Sequence, residues 1–193
     1  MSTKAEVLVV RKILVGEWDL LALVYGTVGK AKLLVRKGFH PNSAYCSIFE
    51  PFNLMIIDYH QSGDLLILND VKDVKFYSYL ALRSYSRFLW MSKVVQNVVK
   101  WISYYDSSIF NLLKDYLILN IRNHKVFEIK LKLELVKSMG IYKEDVFEAN
   151  VRQILNRIAN ENSVENLEGV FLSEAVYRSI NEALEGLLKE LLD

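Results

Sequence analysis

Basic side chains recur through the first third of this chain at spacings that could grip a polyanion. Arg11 and Lys12 lie in "VLVVRKILV"; Lys30 and Lys32 lie in "GKAKLLVRKG", which closes on Arg36, Lys37 and Gly38, with Phe39 and His40 directly after. Lys30 and Lys32 are two residues apart, so on a strand both project from the same face. Cations along neighbouring strands can follow a phosphate backbone, each neutralised phosphate releasing condensed counterions. Gly38 would let the backbone turn sharply or approach a ligand closely. Nearby rings, Trp18, Tyr25, Phe39 and Tyr45, offer faces on which unpaired bases could stack. Core packing is the expected role of Trp18 and Tyr25. Phe39, in a polar loop beside glycine, is the better stacking candidate. The competing reading of the basic strand is a guard against edge-to-edge aggregation.

Catalytic constellations are thin by comparison. Gly26-Thr27-Val28-Gly29-Lys30 has the wrong spacing for a phosphate loop and no Ser or Thr after its lysine. His40, His60 and His124 stand apart without partners at helical spacing, and Asp70/Asp73 and Glu144/Asp145 read as a turn and a helix start. A single cysteine, Cys46, excludes an internal disulfide and a zinc site built on several thiolates, and its small and apolar neighbours predict a buried structural thiol. The expectation is a binding protein rather than an enzyme, with no cofactor and no metal.

Composition fits that expectation. The chain has 193 residues, 52% hydrophobic and 24% charged, enough to bury a sizeable core, with a net charge of only +1. The distribution is uneven: residues 1–45 carry +4, residues 46–75 carry −3, residues 76–140 carry +6 and residues 141–193 carry −6. Such asymmetry points either to a polyanion partner or to an acidic tail that is an ordinary solvated helix surface. No signal-peptide pattern and no run of about 18 uncharged apolar residues is present, which predicts a soluble cytoplasmic protein.

Two kinds of element must position these residues. The pattern predicts strands over Glu6 to Val15, Asp19 to Tyr25, Lys30 to Lys37, Phe52 to His60 and Leu65 to Asn69, with turns at Gly16-Glu17, at Gly26 to Gly29 and at Gln61 to Asp64. In the third, Lys30, Lys32 and Leu34 take one face and Ala31, Leu33 and Val35 the other. Five short strands with one long connection between the third and fourth match a small Greek-key barrel of the OB type. That barrel would bring Arg11 and Lys12 of the first strand beside the third.

After about Val74 the period changes to three and four. Tyr85, Phe88, Met91, Val95, Val98 and Ile102 mark one helix face. Ser107 and Ser108 can cap a second helix carrying Leu112, Leu113, Tyr116 and Leu117. Phe127, Leu131, Leu135 and Met139 mark a third, stopped by Gly140. Val151, Ile154, Leu155 and Ile158 mark a fourth, and Ser173 caps a last one with Val176, Ile180, Leu184, Leu187, Leu188 and Leu191. Residues 160–169 read as a loop. The expected class is α+β, an OB-type barrel over residues 1–75 followed by an all-helical domain over 76–193.

The order of these segments resembles the bacterial recombination mediator family RecO. "VLVVRKILVGEWD", the basic strand in "LLALVYGTVGKAKLLVRKG" with its Lys37-Gly38 end, "EPFNLMI" with Pro51-Phe52, "YLALRSYSRFLWMSKVV" and "FEIKLKLELVKSMGIY" follow one another as in that family, over residues 5–142. The resemblance implies an OB domain and a helical domain that bind single- and double-stranded DNA and anneal complementary strands. It also implies work with RecR, contact with the acidic, apolar C-terminal tail of single-stranded-DNA-binding protein, and help in loading the recombinase during DNA repair. It places Arg11, Lys37 and Gly38 at family positions. With Lys12, Lys30, Lys32, Arg36, Phe39 and His40 they form the expected DNA-binding set. Three features depart from the family pattern: the four-cysteine zinc motif of many members is absent, Phe39-His40 replaces the usual basic residue after Lys-Gly, and the acidic Leu191-Leu192-Asp193 end lacks a basic tail. The alternative expectation is a protein–protein adaptor on the same fold that reaches DNA only weakly or through partners.

Overall fold

A computed structural model describes residues 3–190. The expected class is what it shows: a closed five-stranded barrel followed by a helical half. The strands are β1 (Thr3–Val15), β2 (Asp19–Gly26), β3 (Gly29–Val35), β4 (Leu54–Ser62) and β5 (Leu65–Lys75), in the order β1-β2-β3-β5-β4, with β1 closing on β4. The β3–β5 pair is parallel and short, Lys32 to Leu34 against Leu65 to Ile67; the other pairs are antiparallel. A short helix, α1 (Tyr45–Ile48), sits in the long β3–β4 connection.

Alternation builds the barrel interior. Val7, Val9, Leu20, Ala22, Val24, Leu33, Val35, Met55, Ile57 and Leu66 converge, closed at one end by Phe49 from the connection. The outward side of β1, β2 and β4 is not left to water. Leu8, Tyr25, Phe52 and Leu54 join the core of the helical half, so barrel and helices share one packed junction. Asn53, fully buried, ties it: its amide donates to the Ile48 carbonyl (2.9 Å) and its side-chain oxygen accepts from the Ser78 N–H (3.0 Å). Phe52, just before it, holds a left-handed backbone (φ 76°) that turns its ring toward Phe88, 6.1 Å away.

The helices are α2 (Ser78–Ala81), α3 (Tyr85–Val99), α4 (Ser107–Ile118), α5 (His124–Ser138), α6 (Ala149–Asn160), α7 (Val164–Glu168) and α8 (Glu174–Lys189). The α5 sequence "FEIKLKLELVK" alternates like a strand, yet it is a central helix buried on nearly every side. Gly140, in the left-handed region (φ 70°), ends it as expected. Ser173 caps α8 through the Val176 N–H, also as expected. Among the described residues no helix is long and apolar enough to cross a membrane.

Several expectations are corrected. β5 runs on to Lys75, its strand pairing with β4 outlasting the apolar run. β3 stops at Val35, so Arg36 and Lys37 lie in a turn. The carboxylate of Asp106, not Ser107 or Ser108, caps α4 by accepting from the Ile109 N–H. Residues 160–169 contain α7, capped by Ser163. Of the expected α3 face, Met91, Val95 and Val98 are buried as expected, joined by Trp90 and Val94, but Tyr85 and Phe88 are exposed and Ile102, though buried, lies past the helix end. Cys46 is half-buried rather than enclosed. Leu191 and the Leu191-Leu192-Asp193 end lie outside the described residues.

Candidate nucleic-acid interface

The barrel's register decides which basic residues can act together. β1 does not neighbour β3, as the sequence reading supposed; β2 lies between them. The pairing Arg11↔Leu23↔Lys32 nonetheless sets all three in one cross-strand row. Strands spaced about 4.8 Å apart put the two outer Cα atoms about 10 Å from one another. Leu23 alternates with the buried Ala22 and Val24, so this row is on the outer side of the barrel, where Arg11 and Lys32 are exposed. A register shift between Val9 and Arg11 puts Arg11 on this side.

Lys12 points the other way. It pairs with the interior residue Ala22, and its ammonium donates to the Cys46 carbonyl (2.8 Å) and the Glu50 carboxylate (2.5 Å). It also lies 5.7 Å from the Phe39 ring centre. Phe39 itself packs on the barrel interior, so both residues hold the β3–β4 connection onto β1. Half-buried, Phe39 is a poor stacking surface; Trp18 is the exposed ring at this end, edge-on to His40 at 5.4 Å. Tyr25 is core, as expected; burial pushes its phenol up to about 12, with the Asp106 carboxylate adding to the effect. Tyr45 packs against Phe49.

The turn after β3 divides its labour differently from expectation. Lys37, not Gly38, takes the left-handed backbone (φ 53°), and its N–H donates to the Asp19 carboxylate (2.7 Å). Gly38 is buried for a steric reason: a Cβ there would stand 2.6 Å from Leu20 Cβ and 3.1 Å from Val35 Cγ1. Its role is to seat the turn against β2, while the Arg36 and Lys37 side chains face solvent.

Lys30 lies at the junction. Its ammonium donates to the Val99 carbonyl at the end of α3 (3.3 Å), where a cation complements the helix dipole. Its N–H donates to the Ser103 carbonyl (2.7 Å), and Gly29 packs so tightly there that a Cβ would lie 2.7 Å from that oxygen. This contact brings the exposed rings of Tyr104 and Tyr105 beside the start of β3. Sequence reasoning missed them, because nothing local in "WISYYD" tells that its loop docks on the barrel.

A cleft of about 540 Å³ opens where β3 and the β4–β5 hairpin diverge, with Lys30, Lys32, Tyr59 and Gln61 among its walls. It follows from the short β3–β5 pairing, which leaves the first half of β3 without a strand on that side. The exposed cations thus form two groups. Lys32, Arg11 and the tethered Lys30 span the outer face; Arg36 and Lys37 sit at the far end of β3 beside Trp18 and His40. Among the described residues, Arg11, Lys32, Arg36 and Lys37 make no ion pair. No three His, Cys, Asp or Glu side chains of the described residues cluster as a metal site would require.

No family model matches the chain. An uncharacterized protein of Aquifex aeolicus (strain VF5) is 38% identical over 137 residues, which is 71% of this chain. The chain matches 64% of that relative's length.

Proposed function

We propose that this chain is a non-enzymatic DNA-binding protein that anneals complementary strands, a recombination mediator of the RecO kind. The observation that carries the reading is the row Arg11–Leu23–Lys32. It sets two exposed cations, without carboxylate partners among the described residues, on one face of a five-stranded barrel, with Lys30 and the Tyr104 ring at its margin. Annealing needs no catalytic group. Cations that neutralise two backbones reduce their repulsion, and exposed rings hold bases unstacked for pairing. The order barrel then helices agrees with the resemblance, whose implied partners, RecR and the tail of single-stranded-DNA-binding protein, and whose cytoplasmic site of action, belong to the same proposal.

The test is the annealing rate of complementary oligonucleotides with a Lys32→Ala/Arg36→Ala/Lys37→Ala variant. The expected result is slower annealing with a weaker salt dependence; parental rates and salt slope would remove the interface from the account. The adaptor reading keeps one observation in its favour, since Lys12 and Lys30 are held internally. No DNA binding at low salt together with tight binding to RecR would select it.

A further inference from the structure

We propose that the segment from Phe76 to Leu89 is a second contact for single-stranded nucleic acid, continuous with the barrel face. This rests on the DNA-binding reading above. The segment joins β5 to α3 through turns closed by i→i+3 hydrogen bonds: Tyr79 N–H to Phe76 carbonyl (3.3 Å), Leu80 to Tyr77 (2.9 Å) and Arg83 to Leu80 (3.3 Å). Such turns place side chains three apart above one another. Tyr77, Leu80 and Ala81 therefore face the core, while Phe76, Tyr79 and Leu82 line up outside, and Tyr85 and Phe88 extend that line onto α3. Tyr79, Leu82 and Tyr85 are 65%, 79% and 75% exposed, too open for a core role. Neither phenol has a hydrogen-bond partner among the described residues.

Charge and position choose the occupant. Residues 74–105 hold no acid, and beside the strip Lys75 and Arg83 are exposed and make no ion pair among the described residues. Arg87, Lys93 and Lys100 are held by the α4 carbonyls, Glu128 and Glu185. The uncompensated charge next to the rings is therefore positive and suits a polyanion rather than a basic or neutral peptide. A groove of about 400 Å³ lined by Arg11, Leu23, Phe52 and Phe88 leads from the Arg11–Lys32 row to the strip. Rings spaced along a basic path stack on bases, whose faces only a single strand exposes. The strip therefore adds length and strand selectivity to the barrel contact.

The test compares the parent, Tyr79→Ala/Tyr85→Ala and Tyr79→Phe/Tyr85→Phe in binding fluorescent oligothymidine of about six and about twenty nucleotides, lengths that bracket the reach of one barrel. Loss of two stacking rings is expected to weaken the longer ligand about tenfold or more, with the phenylalanine variant retaining affinity. The short ligand and the salt slope should not change. Parental affinity of the alanine variant for the long ligand would overturn the proposal while leaving the barrel reading intact. Absence of any binding by the parent at low salt would overturn both. An alanine variant that changes only oligomeric mass by light scattering would assign the strip to a second copy of the chain, and also overturn the proposal.

Discussion

Lys132 and Lys32 are both lysines in apolar, alternating sequence, and the structure treats them in opposite ways. Lys132, in the middle of α5, is fully buried, bonded to Asn181 (2.5 Å) and paired with Glu185 (2.7 Å) and Glu128 (3.3 Å). Lys32, on β3, stands in water with no carboxylate on it among the described residues. The contrast extends to the two halves. In the helical half, many cations bind the chain's own acids and helix ends. Lys125 pairs with Glu174, Lys93 with Glu128, and Lys130 donates to the Ile158, Ala159 and Glu161 carbonyls that end α6. Arg87 does the same for the end of α4 through the Leu117 and Ile118 carbonyls. Part of the +6 of the middle thus meets the −6 of the last segment inside one molecule, through Lys100, Lys125 and Lys132 on Glu174 and Glu185. A block of charge therefore signals a partner only where the fold leaves it unspent, as on β3.

The largest expected effect breaks the buried side of this contrast. Lys132→Met leaves Glu128 and Glu185 without their shared cation, which is expected to cost about 3–5 kcal/mol in urea unfolding. DNA affinity should hold wherever the variant remains folded. A loss under about 1 kcal/mol would mean that the carboxylates find water or other partners.

Acid sharpens the same point. Burial alone would raise the Glu128 carboxyl, but the Lys93 hydrogen bond and the Lys132 charge hold it below its ordinary value. Glu185 follows the same pattern, with burial opposed by its Lys132 hydrogen bond. Groups lowered on folding contribute stability that is complete above the unfolded carboxylate value of about 4.3 and is lost as pH falls through the lower folded values. The melting temperature should therefore drop as pH falls below about 4.5. The drop should be shallower in Lys132→Met, where that hold is weakened.

How much of this was legible in the sequence varies by residue. Period-two and period-four patterns gave the strands and most helix faces, because alternation and burial coincide there. Gly140 and Ser173 were readable because helix ends impose local chemistry. Arg11 and Lys12, adjacent in sequence, were not separable: only the register shift after Val9 and the docking of the connection put one outside and the other on Glu50. Gly38 was readable as necessary but for the wrong reason, since its crowding comes from Leu20, eighteen positions away. Tyr85 and Phe88 carried helical spacing but lie on the strip side of α3, and periodicity alone does not say which flank of a helix is covered.

The central claim is that the outward cations of the barrel, and not its inward ones, meet the phosphate backbone. The most direct test measures affinity for single-stranded DNA across a salt series for the parent, Arg11→Ala/Lys32→Ala and Lys12→Ala. Two lost phosphate contacts should reduce the slope of log affinity against log salt by about 1.4 in the double variant, with Lys12→Ala keeping the parental slope. A parental slope in the double variant, or an equal loss in Lys12→Ala, would contradict the account.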